Sequence, residues 1–322
     1  MLSQIKAPIC AEFERFKAVF DSAFTSAEDR LLFSVLEHIH QQTGKQIRPI
    51  FTLLCGKLCG EVNENTLLVA AGYETLHTAT LIHDDVVDTT MQRRGQPSAN
   101  AIFDNRTAVL TGDYLLSKAL QFVSDTKSPE LFNILCQLSR TLAEGELLQL
   151  EHAYSIPTEE EYINIISRKT AILFTASAES AAMTVNACKD KIEALKRFSE
   201  AMGICFQIKD DIFDYTPNAK IGKPTLNDIR EGKVTLPLLH TLRQLPTSVA
   251  MDILAKAKNN EFSEEYFYNI GTLVAKHHGI EYAECKIDHY IDEARKALRE
   301  FEESDMRNAL EKLLTFTITR NK

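Results

Sequence analysis

The chain has 322 residues, 44% hydrophobic and 25% charged, which is the composition of an ordinary globular protein and not of a disordered one. Forty-five acidic against 36 basic residues give a formal charge of −9, which argues against a nucleic-acid-binding protein but leaves room for a local basic cluster holding a small anion. Twelve glycines and nine prolines are about half the average share, so a turn-rich all-β fold is excluded in favour of long helices.

Met1 through Pro8 shows no signal-peptide apolar core, and no apolar run reaches the roughly 18 residues of a membrane helix. Helix starts recur along the chain. Ser26 to Asp29 and Thr158 to Glu161 have capping-box spacing, and Ser128-Pro129 puts an N-cap before a first-turn proline. Cys55 and Cys59, four apart on a predicted helix, read as reduced core thiols among seven scattered cysteines, which predicts a cytoplasmic protein. No clean alternation and no Asn-Gly or Asp-Gly turn predicts strands. With no Pro/Gly/Ser linker, one all-α domain over residues 1–322 is expected.

A long apolar helix through Leu67, Leu76, Leu81 and Ile82 ends in Asp84-Asp85-Val86-Val87-Asp88. Asp84 and Asp88 share one face, about 6 Å apart along the axis. Glu74, His77, Leu81, Asp84 and Asp88 continue that stripe. The second cluster, Asp210-Asp211-Ile212-Phe213-Asp214, has the same spacing on another apolar helix, with Gln207 one turn before it. Like charges at this spacing repel, and in apolar surroundings they need a cation or a proton. One such cluster is commonly a solvated helix end. Two identical ones point to an oxygen-ligand site for Mg²⁺, or Mn²⁺, which takes one or two carboxylates plus substrate phosphates. The nine histidines show no zinc-ligand spacing, and His277-His278 is expected on a helix surface.

Two stretches break the helical pattern, each directly after an aspartate cluster: residues 91–98, and Tyr215 to Pro237. Loops on a rigid scaffold carry ligand contacts. The basic candidates are Lys45 and Arg48 in Gly44-Lys45-Gln46-Ile47-Arg48-Pro49, Arg93 and Arg94 after the first cluster, Lys223 and Lys233 after the second, and Lys169. Singly, each is more often solvated surface. Lys169, before Thr170, stands out because both its flanks are apolar. No Walker loop or dinucleotide fingerprint is present.

These residues, in this order, resemble the trans-isoprenyl diphosphate synthases, closest to the long-chain, octaprenyl-type branch. The motifs span roughly residues 44–237. The resemblance implies an all-α antiparallel helical barrel around a deep cavity, a homodimer, and Mg²⁺ held by Asp84, Asp88 and Asp210 with Asp85, Asp211 and Asp214 ligating or supporting. It implies that Arg93, Lys169 and Lys223 contact the diphosphate of the allylic substrate, with Lys233 nearby. Lys45, Arg48, His77 and Arg94 would hold isopentenyl diphosphate, and Thr170 and Gln207 would sit by the allylic carbon.

Metal and basic side chains would stabilise the leaving pyrophosphate, and that pyrophosphate is the expected base for the last proton. Residues 215–237 are expected to act as a lid against water. Ala79 and Thr80, five and four residues before Asp84, are small where the resembling short-chain enzymes often carry aromatics. Leu76 is the next obstruction, so a product longer than farnesyl is expected. Glu146 and Gln149 are open between cavity lining and surface.

Other readings are a short-chain synthase, a terpene cyclase, a head-to-head condensing enzyme and a non-catalytic regulatory subunit. The complete second cluster and the residues Lys45, Arg48 and Arg94 argue against the last three.

Overall fold

The computed structural model describes residues 1–25, 29–216, 226–259 and 263–320. Lys223, the Ser26 capping position and residues 217–225 of the 215–237 segment lie outside the described residues. As expected, the fold is all-α. Among the described residues the one strand pairing is a two-residue hairpin, Gln92–Arg93 against Gln96–Pro97. No described helix is long and apolar enough to cross a membrane.

The chain forms two compact units, each gathered from separate stretches of sequence. The first comprises Met1–Ser139, Ala176–Lys196 and Glu300–Leu313. Its spine is the helix Glu64–Val87, which starts at a reciprocal cap between Asn63 and Thr66. This helix is buried almost continuously from Thr66 to Leu76, as a helix with apolar residues on most faces must be. Phe16, Phe20, Phe51 and Tyr73 are fully buried in this unit, and the Tyr73 hydroxyl meets Ser180 Oγ at 2.7 Å. Cys55 is buried and Cys59 partly so. All seven cysteines are free thiols, and burial pushes Cys59 up to about 11.

The second unit comprises Arg140–Thr175, Arg197–Arg299 and Leu314–Lys322. The predicted capping box forms here: Thr158 Oγ1 accepts from the Glu161 amide at 3.1 Å, and the Thr158 amide donates to Glu161 Oε2 at 2.6 Å. Glu159–Ile166 runs into a π-helical turn, Ser167–Ala171, before the helix Ile172–Thr184. The apolar stretch around Lys169 is therefore helical but widened by a turn that no proline or glycine announces. His277 and His278 depart from expectation. They join the helices Glu264–Lys276 and Gly279–Leu298, with His278 at φ 55.

Candidate active site

In the first unit, the expected loop at residues 91–98 is a hairpin. Arg94 and Gly95 both take positive φ, 53 and 77, as a type I′ turn requires. An Arg-Gly pair is a weak signal for this turn, because arginine carries the Cβ penalty that asparagine and glycine largely escape. The turn sends the Arg94 guanidinium back to the Gln42 carbonyl, which it reaches from Nη1 at 2.6 Å. Gly44 makes room for it: a Cβ there would lie 2.6 Å from Arg94 Cζ.

Arg93 grips Asp85, with Nε 2.9 Å from each carboxylate oxygen and Nη2 2.7 Å from Oδ1. The spine helix presents Glu74, His77, Leu81 and Asp85 to a recess that Arg93 and Arg94 also line, with Phe20 and Phe24 as apolar wall. Arg48, at the start of the helix Ile47–Cys59, donates from Nη1 to His77 Nε2 at 2.8 Å. A ring nitrogen that accepts from a guanidinium carries no proton, so His77 is neutral. Burial, and then Arg48, Arg94 and Arg93, hold its pKa well below 6.5. Burial pushes the Glu74 carboxyl up against the pull of Arg48 and Arg94, and its Oε2 has no hydrogen-bond partner. Three guanidinium groups around two carboxylates and a neutral imidazole make a partly desolvated anion site.

The predicted stripe divides at its end. The recess is lined by Asp85 and not by Asp84. Asp84 and Asp88 stand one turn apart, the Asp88 amide donating to the Asp84 carbonyl at 2.8 Å. Lys45 is exposed and outside the recess lining. Leu76 and Ala79 are buried, and Thr80 donates to the His77 carbonyl at 2.9 Å.

In the second unit, the helix Lys189–Tyr215 carries the other cluster. Asp211 is buried and accepts from the Tyr162 hydroxyl at 2.6 Å and from Gln207 Nε2 at 2.8 Å. Burial raises its pKa to about 7, opposed by those two hydrogen bonds and reinforced by Asp210 and Asp214. Asp214, also buried, accepts from the amides of Asn227 and Asp228 at 2.9 and 3.0 Å. Asp210 is 39% exposed and is met by Arg320 at 2.6 Å. Thr170 donates to Gln207 Oε1 at 2.7 Å. Lys169, displayed by the wide turn, is ion-paired with Glu146, and Gln149 donates to the same glutamate at 3.2 Å. Lys233 pairs with Glu231 at 2.6 Å.

The clusters share a pattern. In each, the second aspartate is buried and tied down, Asp85 by Arg93 and Asp211 by Tyr162 and Gln207, while the first is partly exposed. Among the described residues no three Asp, Glu, His or Cys side chains converge into a closed metal cage. Open carboxylate faces fit a hard cation that takes its other ligands from phosphate and water, and Asp210 already attracts a cationic partner in Arg320.

Tyr162 and Arg320 are among the site-region contacts that sequence reasoning did not assign, and Glu146, left open there, is the partner of Lys169. Tyr162 had one usable signal, since a tyrosine on an apolar helix face needs a partner for its hydroxyl.

The polyprenyl synthetase family matches residues 29–270. The chain is 33% identical over 286 residues to the octaprenyl diphosphate synthase of Haemophilus influenzae, covering 88% of this chain and 87% of that protein. Its fold superposes with TM-score 0.92 on a polyprenyl synthase from Caulobacter crescentus CB15 complexed with calcium and isoprenyl diphosphate, at 32% identity over 99% of this chain and 98% of that one. It also resembles a geranylgeranyl pyrophosphate synthase from Bacteroides thetaiotaomicron, with TM-score 0.85, 39% identity and 99% of both chains covered. The chain belongs to the polyprenyl synthetase family and is a prenyltransferase of the trans-polyprenyl diphosphate synthase type.

Proposed function

We propose that this enzyme condenses isopentenyl diphosphate head-to-tail with an allylic diphosphate, farnesyl or geranylgeranyl, in a magnesium-dependent reaction giving a long-chain all-trans product. The shared pattern of the two aspartate clusters carries this reading. Asp84, Asp88 and Asp210 hold Mg²⁺, while Asp85, Asp211 and Asp214 fix the helix geometry around them. Bound magnesium supplies charge stabilisation for the departing diphosphate.

The protein's own groups do the rest. Arg94 and His77, which line the recess, and Arg48, bonded to His77, take the diphosphate of isopentenyl diphosphate together with Lys45. Arg93 and Lys169 serve the allylic diphosphate, with Lys223 and Lys233 from the following segment. Their present partners, Asp85 and Glu146, hold the cationic ends in place for it. Thr170 and Gln207 face the allylic carbon as it becomes cationic. The double bond of isopentenyl diphosphate attacks that carbon, and released pyrophosphate removes the final proton. The product runs past Ala79 and Thr80 towards Leu76. The exposed apolar side chains Ile102, Val109 and Leu110 support assembly as a homodimer.

Asp84→Ala and Asp210→Ala should each cut turnover at least about 100-fold, the scale of losing one strong electrostatic contact, with the fold retained. Near-normal turnover of either variant at saturating magnesium would refute the assignment.

A further inference from the structure

Tyr162 and Thr170 lie eight residues apart. On a regular α-helix that spacing separates two side chains by about 80°. The π-helical turn at Ser167–Ala171 absorbs an extra residue and brings them to within roughly 20° of one face. Both then reach the helix Lys189–Tyr215. Tyr162 donates to Asp211 Oδ2 at 2.6 Å, Gln207 Nε2 donates to Asp211 Oδ1 at 2.8 Å, and Thr170 donates to Gln207 Oε1 at 2.7 Å. Gly203, one turn before Gln207, allows this approach, because a Cβ there would lie 2.5 Å from Ala171 Cα.

The chain of hydrogen bonds has a direction. Asp211 Oδ1 accepts from the NH₂ end of the Gln207 amide, which turns the amide carbonyl towards Thr170. The single hydroxyl proton of Thr170 is used on that carbonyl. Thr170 therefore offers lone pairs, and no O–H, to its remaining surroundings. Reversing the amide would do the opposite, turning N–H towards Thr170 and releasing the hydroxyl proton. A developing carbocation is stabilised by the first arrangement and opposed by the second.

We propose that Tyr162 is a positioning residue for the condensation: by anchoring Asp211 it fixes the polarity of the Gln207 amide, so that oxygen lone pairs face the allylic carbon. The inference rests on the reading that Thr170 and Gln207 stand beside that carbon. Tyr162 itself touches no substrate.

The test uses the full-length protein and the single-turnover rate of one condensation of farnesyl with isopentenyl diphosphate. KM for both substrates and thermal unfolding are measured alongside, for Tyr162→Phe, Thr170→Val, Gln207→Leu and the double variant Tyr162→Phe/Thr170→Val. Tyr162→Phe should slow the step about 10-fold, the scale of one charge-assisted hydrogen bond, with both KM values within about 2-fold. The double variant should be no slower than Thr170→Val alone, because both changes interrupt one relay. A Tyr162→Phe rate within about 2-fold of wild type, a loss confined to KM, or losses that multiply would each overturn the proposal. If Thr170→Val and Gln207→Leu leave the rate unchanged, the location of those residues at the reacting carbon fails as well. If they slow it and Tyr162→Phe does not, the relay alone fails. Should Tyr162→Phe unfold prematurely, 3-fluorotyrosine in place of Tyr162 keeps the hydroxyl and changes its acidity. A changed rate at unchanged melting temperature supports the relay, and an unchanged rate overturns it.

Discussion

Arg320 sets its guanidinium on Asp210, Nη2 to Oδ1 at 2.6 Å, while the same group lies 3.8 Å over the Phe206 ring and donates to the Phe206 carbonyl at 3.2 Å. The arginine side chain is only 14% exposed, so the pair is shielded from solvent. A divalent cation at Asp210 competes with this guanidinium for Oδ1.

Arg320→Gln is therefore expected to tighten magnesium binding about 10-fold, the low end of the worth of one hydrogen bond to a charged group. Calorimetric titration with magnesium and pyrophosphate measures it. Weaker binding in the variant would mean that Arg320 helps to build the metal site and does not compete for it.

Gly44→Ala should act on isopentenyl diphosphate through Arg94. The added methyl would meet the Arg94 guanidinium, the movable end of a flexible side chain, so the fold should tolerate it while the turn that aims Arg94 is disturbed. KM for isopentenyl diphosphate is expected to rise roughly 10-fold, and that for the allylic substrate to stay within about 2-fold, as for losing one charge-assisted contact. Arg48→Ala should show the same selectivity with a larger rise, about 10- to 150-fold. An equal rise for both substrates would contradict two separate diphosphate sites.

The neutral His77 makes a pH prediction with a definite sign. Its folded pKa is depressed below 6.5 by burial and by Arg48, Arg94 and Arg93. Below about 6.5 the unfolded chain binds a proton that the folded protein refuses, so stability is lost as pH falls through that value. The limiting slope is on the order of 1 kcal/mol per pH unit. Urea unfolding at pH 7.5 and 5.5 should show this loss in the wild type and a smaller one in His77→Gln. Identical pH dependence in the two proteins would mean that His77 is not held neutral.

Product length should respond to Ala79. The residue is buried on the spine helix, so a larger side chain must take space from whatever runs beside it. Ala79→Phe is expected to shorten the main product to about farnesyl or geranylgeranyl length while the first condensation keeps its rate, Ala79 lying roughly one and a half turns from Asp84. An unchanged product ladder from a well-folded variant would place the tail elsewhere.

The helical class and both aspartate clusters were legible because they are local: period, capping and D-D-x-x-D spacing are all written within one helix. The Thr158 capping box is a similar case. The division of labour inside each cluster was not legible. The long-range partner of Asp211 is Tyr162, 49 residues away in sequence, and Asp210 meets Arg320 across 110 residues. The wide turn under Lys169 and the Arg94-Gly95 hairpin were missed for another reason. The wide turn has no glycine, proline or asparagine to mark it, and the hairpin has only Gly95, with tertiary contacts holding Arg94 at positive φ beside it. Glu74, His77 and Leu81 of the predicted stripe line the recess, and only at its end does Asp85 stand there in place of Asp84, about 100° around the helix.

On the proposed function, two carboxylate clusters and a guanidinium recess together drive a metal-dependent condensation. Pyrophosphate release from isopentenyl and farnesyl diphosphates, with chromatography of the products, tests it most directly. Release should require magnesium and both substrates, stop on addition of EDTA, and yield a ladder of prenyl diphosphates growing beyond farnesyl by one isoprene unit at a time. Release from farnesyl diphosphate alone with cyclised or hydrolysed products, or no release with any allylic partner, would contradict the account.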